Sequence, residues 1–162
     1  MNIKQAVLAT LAPADMIVGS YLADLADAEL LVRPVPGANH IAWQLGHLIS
    51  SEAFLVKMAV PSCKADLPPG FAERHTKDTA SIDAPAGFDS KTRYLELAKG
   101  VRSGVLASLD SLSPEDFDRP VSGGPPFVKT VGDTFLFLGA HWLMHAGQWT
   151  VLRRKIGRPS MF

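Results

Sequence analysis

Residues 130 to 159, TVGDTFLFLGAHWLMHAGQWTVLRRKIGRP, read as one long helix with a marked start and a marked stop. Thr130 offers its hydroxyl as N-cap, and Asp133, three residues on, makes a variant of the capping box. Gly157 and Pro159 end the run. An α-helix turns about 100° per residue, so His141 and His145 stand only about 40° apart, on a face shared with Thr134, Leu138, Gln148 and Leu152. The rest of the circumference is also apolar, through Phe135, Leu136, Leu143 and Val151, which predicts a packed interior around the two imidazoles. Asp133 points away from them and is explained by the helix start. Arg153 and Arg154 complement the negative end of the helix dipole.

Helix-type spacing of apolar residues dominates the remaining chain, and alternating strand-type runs are scarce, which predicts an all-α domain of four main helices. The first spans about residues 2 to 28, with Pro13 expected to kink or restart it because proline lacks the N–H of an interior turn. The second runs from Asn39, as N-cap, to Val60, where Pro61 stops it. The third begins near Asp89 or Ser90 and turns Leu95, Val101, Val105, Leu109 and Leu112 inward. The fourth is the segment quoted above. A connection of nearly 30 residues separates the second and third helices, long enough to cross a bundle and leave them parallel. The link from 111 to 129 holds SPEDF, a short helix with Ser113 as cap, and then SGGPPF, a connector or lid.

At 162 residues the chain fits one domain, 1–162, with a single sizeable core. Sixteen basic residues balance sixteen acidic ones, which argues against a nucleic-acid partner. The lone cysteine, Cys63, excludes a disulfide framework and any zinc site built on several thiolates, so a metal would have to use histidine or carboxylate. The N-terminus reads poorly as a signal peptide, which makes the cytoplasm the default location. The 131–152 stretch alone reads as long enough to span a bilayer, but Asp133, two histidines and Gln148 would be costly in lipid, so no membrane is expected.

A second helical wheel, over HIAWQLGHLISSEAFLVKM, places His47 with Trp43, Phe54 and Met58 on the core face, with Gly46, Ser50 and Lys57 on the polar side. His40 lies near the helix start, within reach of water. His47, His141 and His145 converging from two helices would supply three neutral nitrogen ligands and leave a coordination position open, as a catalytic divalent ion requires. Such an ion would lower the pKa of bound water, or hold a thiolate or carbonyl oxygen. The competing reading is that these are hydrogen-bonded packing residues of a non-catalytic helical module that binds a small molecule or partner. Sharper motifs are absent: HWLMH lacks the glutamate of H-E-x-x-H, no histidine has a glutamate three residues before it, and SGGPPF lacks the Gly-Lys-Ser/Thr of a phosphate loop.

Three stretches, RPVPGANHIAWQLGHL at 33–48, HWLMHAGQW at 141–149 and LRRKIGRP at 152–159, resemble the DinB/YfiT-like superfamily of metal-dependent bacterial enzymes. His47-Leu48 matches its histidine in the second helix, and His141, His145, Gly147 and Gln148 match its H-x-x-x-H-x-G-Q. The resemblance implies a four-helix bundle with a long crossover between helices two and three, and one zinc or nickel ion on His47, His141 and His145. It also implies a homodimer, which the all-round apolar fourth helix predicts independently. The chemistry it implies is that of metal-dependent transferases and isomerases that use a low-molecular-weight thiol as cosubstrate. The reaction expected of this chain is that of a metal-dependent transferase or hydrolase, thiol transfer or hydrolysis on a small molecule, with metal-bound thiolate or hydroxide as nucleophile. The motif does not fix the substrate-facing residues.

Among other residues, Gln148 is a candidate hydrogen-bond partner of a ligand histidine or of substrate. Trp43 is a candidate pocket wall, with core packing as its plainer role, and the same holds for Trp142. Glu52 lies off the His47 face and makes a weak general base. Cys63 is assigned no role, and His75, in ERHTKD, is expected in solvent.

Overall fold

The computed structural model describes residues 2–159. It is helical throughout, with no strand among the described residues. Four long helices carry it: α1 (Ile3–Ala23), α3 (Ile41–Ala59), α4 (Lys91–Ser111) and α5 (Val131–Lys155), with a single turn, α2 (Asp27–Leu30), after the first.

Each long helix begins on a capping side chain. Asn2 accepts the Gln5 N–H at 2.9 Å, while Gln5 reaches back to the Asn2 N–H. Ser90 accepts from Arg93. Thr130 and Asp133 form the reciprocal box predicted for α5, whose end is closed by Gly157 at φ 73°. For α3 the cap is His40 and not Asn39: the imidazole Nδ1 accepts the Trp43 N–H at 3.0 Å, taking the place of a hydroxyl or carboxylate. His40 is therefore fully buried instead of open to water. The turn at 115–118 is capped in the reverse sense to that expected, with the Asp116 carboxylate accepting the Ser113 N–H.

α1 runs unbroken through Pro13. The proline faces solvent, while Val7, Leu11, Ala14, Val18 and Leu22 are buried on the opposite side, so packing offsets the one missing hydrogen bond. The helix stops at Ala23, short of residue 28, because its last carbonyls are drawn off: the Lys91 ammonium donates to Leu22 O at 3.0 Å. Arg153 is buried and forks onto Asp24 at 2.6 and 3.0 Å, with a further bond to Tyr21 O, so it ties the end of α5 to the end of α1 beyond any dipole effect. Among the described residues, α1, not the 131–152 stretch, is the helix long and apolar enough to cross a membrane by length and composition. Its buried side lies against α5.

Contacts set the register of the helices. A side chain at Gly139 would come 2.6 Å from the Thr10 carbonyl, which brings α1 and α5 backbone to backbone. Gln44 meets Trp149 and Glu52 meets Trp142 between α3 and α5. Between α3 and α4, His75 links Gly46 to Tyr94 and Arg102 pairs with Glu52 at 3.2 Å. Gly46 thus sits in the core, not on a polar side, and a methyl group there would fall within the His75 ring. Of the residues expected inward on α4, Val101, Val105, Leu109 and Leu112 are buried, whereas Leu95 lies on the surface at 39% exposure.

Candidate metal centre

His47 on α3 and His141 and His145 on α5 come together as the wheels require. Their potential ligand atoms all lie within 4.8 Å of one another. The ring centroids are 5.3 Å apart from His47 to each of the others and 5.0 Å between His141 and His145. Each ring is half-buried. Burial holds His141 and His145 down to about 4, with the neighbouring imidazoles adding to the shift. His47 is lowered by burial and by the Lys77 charge. All three are therefore neutral donors near pH 7.

Hydrogen bonds fix the orientation of His145. The Trp149 indole N–H can only donate, and it points at Gln44 Oε1 at 2.9 Å. Gln44 Nε2 in turn donates to the Asn39 carbonyl at 2.7 Å. With the amide so oriented, the His145 Nδ1 that lies 2.9 Å from the same Oε1 must carry the proton, which leaves Nε2 with a free lone pair. This is the arrangement by which an outer residue orients a metal-binding imidazole.

His47 is set by stacking instead. Trp43 lies parallel to it, 5.1 Å between centroids and 5° between planes, and is anchored by its indole N–H to Thr76 O and Thr79 Oγ, each at 3.2 Å. Phe137 stacks on His141 at 5.2 Å in the same way. Neither the His47 nor the His141 ring makes a hydrogen bond among the described residues. Three neutral nitrogens so arranged fit a borderline cation such as zinc or nickel.

Gln148 lies at the surface, and its Oε1 receives only a long bond from Gln44, 3.4 Å. Sequence reasoning missed Gln44, although a signal was present: it lies three residues before His47, next to it on the helix face. Glu52 is buried and committed, accepting from the Trp142 indole and paired with Arg102, which also reaches Asp15. Burial raises its pKa against the pull of Arg102. His75 is not in solvent: Nδ1 donates to Phe71 O at 2.8 Å and Nε2 accepts from the Tyr94 hydroxyl at 2.9 Å. The 310 turn that carries it folds back onto α3, which no local pattern of ERHTKD announces. Cys63 is buried and unpaired. The SGGPPF segment bends over the cluster, where Gly123, Gly124 and Pro125 line a hollow with His47 and His141.

A family model described as the DinB superfamily matches residues 14–149, a span that includes all three histidines. No curated protein matches the chain. Among solved structures, the crystal structure of a conserved protein from Enterococcus faecalis is similar at a TM-score of 0.70 and 18% identity, covering 98% of this chain and 99% of that one. A likeness at that identity speaks to the fold alone.

Proposed function

The chain belongs to the DinB superfamily, and from that premise we propose that it is a metal-dependent enzyme holding one divalent ion, zinc or nickel, on His47, His141 and His145. The reaction proposed is transfer of a low-molecular-weight thiol to a small molecule, or hydrolysis of one. The observation that carries this reading is the open nitrogens: His47 and His141 make no hydrogen bond among the described residues, and His145 spends only Nδ1. A divalent ion supplies Lewis acidity to a thiol, a water or a carbonyl group there. The protein contributes the rest. Gln44 holds the His145 tautomer, Trp43 and Phe137 fix the planes of His47 and His141, and burial keeps all three rings unprotonated.

The same proposal covers the architecture: a four-helix bundle in which the long connection from α3 to α4 crosses over. It is supported by the order of contacts, since Gly46 with Tyr94 through His75, and then Glu52 with Arg102, climb α3 and α4 together. We extend it to a cytoplasmic location and to a homodimer, the dimer being supported by Ala140, Met144, Gly147 and Val151, exposed on one stripe of α5. Light scattering at micromolar concentration checks the dimer.

Elemental analysis of untagged protein tests the centre. About one equivalent of metal is expected in the wild type and little in His145→Ala, which loses one of three ligands. Equal, negligible metal in both, with a melting temperature unmoved by chelator, overturns the proposal and returns the histidines to a structural role.

A further inference from the structure

The hollow beside His47 and His141 has a composition that narrows what it can hold. Its walls are Ser51, Phe54, Leu55, Phe137 and the Gly123–Pro125 turn, and none of its lining side chains is acidic or a lysine or arginine. Lys77, the cation that acts on His47, is not among them. Phe54 is 57% exposed and Phe127 64% exposed. Phe127 meets Phe137 edge-on at 5.0 Å, and Phe137 stacks on His141, so aromatic rings run without a break from the surface to the cluster. A lone exposed phenylalanine needs no explanation. Phe54 lining a hollow that ends on open imidazole nitrogens, with Phe127 against its Phe137 wall, makes this an apolar mouth.

The Gly123–Pro125 turn forms one side of this space. Gly123 has φ 96°, which favours glycine, and a side chain at Gly124 would come 3.2 Å from the Met58 methyl and 3.4 Å from Leu55. The two glycines bring backbone close to the apolar wall. Away from the proposed ion, no lining side chain offers a counter-charge to a carboxylate or phosphate seated against the Phe54–Phe137 wall.

We propose that the substrate group seated next to the reacting centre is uncharged and aromatic, packed against Phe54 and Phe137 beneath the Gly123–Pro125 turn. The inference rests on the reading of the three histidines as a metal centre and goes further, to the class of molecule admitted. It assigns the seat to a small molecule, not to a second copy of the chain.

The test uses the full chain loaded with cobalt(II), whose visible spectrum reports thiol binding without any assay of activity. Benzyl mercaptan is titrated against 2-mercaptoethanesulfonate, two alkyl thiols that differ mainly in carrying a ring or a charge. The expected result is at least about tenfold tighter binding of benzyl mercaptan, a margin of the size one buried apolar group provides. Phe54→Ser is expected to remove most of that preference while leaving cobalt affinity unchanged. Equal affinities, or a preference that survives Phe54→Ser, overturn the proposal. A metal-free arm, ligand-detected NMR of benzyl mercaptan with wild type and Phe54→Ser, separates the two readings. Absence of cobalt binding with Phe54-dependent binding of the ring sinks the metal centre and keeps the aromatic seat, whereas no ring binding in either arm sinks the seat. If Phe54→Ser or Phe127→Ser turns a dimer into monomers without weakening benzyl mercaptan, the face belongs to a second copy and the proposal fails.

Discussion

The five histidines divide into two groups that the same helices hold in opposite ways. His40 and His75 are fully buried, and each spends both ring nitrogens on the protein: Trp43 N–H and Ile82 O for the first, Phe71 O and the Tyr94 hydroxyl for the second. His47, His141 and His145 are less buried, yet among the described residues they use one ring nitrogen of six. A buried polar group left unpaired is costly, so an imidazole placed for packing is expected to be saturated. The three unsaturated ones stand side by side, His47 and His141 lining an open hollow, which is the pattern the proposed metal centre requires. Burial alone would have chosen the wrong pair.

The largest effects should fall out along that division. His47→Ala, His141→Ala and His145→Ala should each lower metal affinity by more than the roughly 10–100-fold seen when an outer partner is lost, since each removes a ligand. Isothermal titration of chelator-stripped protein reads this. None of the three should cost much stability in the metal-free state. His75→Ala should do the reverse. It leaves a cavity over Gly46 and strips the Tyr94 hydroxyl of its acceptor, for a loss of about 2–4 kcal/mol in urea unfolding, with metal stoichiometry intact. Loss of metal in His75→Ala under folding conditions would erase the division.

How far this could be read in the sequence follows from how local each signal is. The α5 start and stop were legible because Thr130, Asp133 and Gly157 act within one turn of themselves. The convergence of His47 with His141 and His145 was legible because a wheel needs only the helical period, once two core faces are assumed to meet. His75 was misread because its partners, Phe71 and Tyr94, lie on a turn and on α4, and only the tertiary path of the 60–90 connection brings them to Gly46. His40 was misread for a chemical reason: an imidazole seldom caps a helix, and Asn39 beside it has the usual side chain for the task. Gln44 went unremarked because its importance comes from Trp149 and His145, more than a hundred positions away.

Gln44 carries the next prediction. Gln44→Ala should weaken metal binding about 10–100-fold by freeing the His145 tautomer, and Gln44→Glu, which keeps an acceptor for Nδ1–H, should recover most of it. Equal loss in both would mean that the amide acts only through packing.

A smaller effect is the dependence of stability on pH, to which all five histidines contribute in the same direction, since burial lowers the open three as well. Burial lowers the pKa of His40 and His75 in the fold. As pH falls through about 6.5, the unfolded chain takes up protons that the folded one resists. Their contribution to stability is thus full above that pH and is lost progressively below it. Unfolding free energy of the metal-free protein should fall from about pH 7 to about pH 5. In His75→Gln the slope should be shallower by up to about 1.4 kcal/mol per pH unit, the value of one proton. An unchanged slope would mean that His75 takes up its proton equally in the folded and unfolded chains.

The smallest effect expected is at Gln148, the residue in HWLMHAGQW that most invites a role. Its side chain is at the surface, and its one bond, from Gln44 Nε2, is long at 3.4 Å, while that same Nε2 already holds the Asn39 carbonyl at 2.7 Å. Removing it leaves Gln44 oriented by Trp149 and Asn39, so His145 keeps its tautomer. Gln148→Ala should therefore change metal affinity less than about threefold, far below the Gln44 effect. Should Gln148→Ala prove as costly as Gln44→Ala, the side chain must swing inward when the ion binds. The division between saturated and open histidines would then extend to a polar group that moves between them.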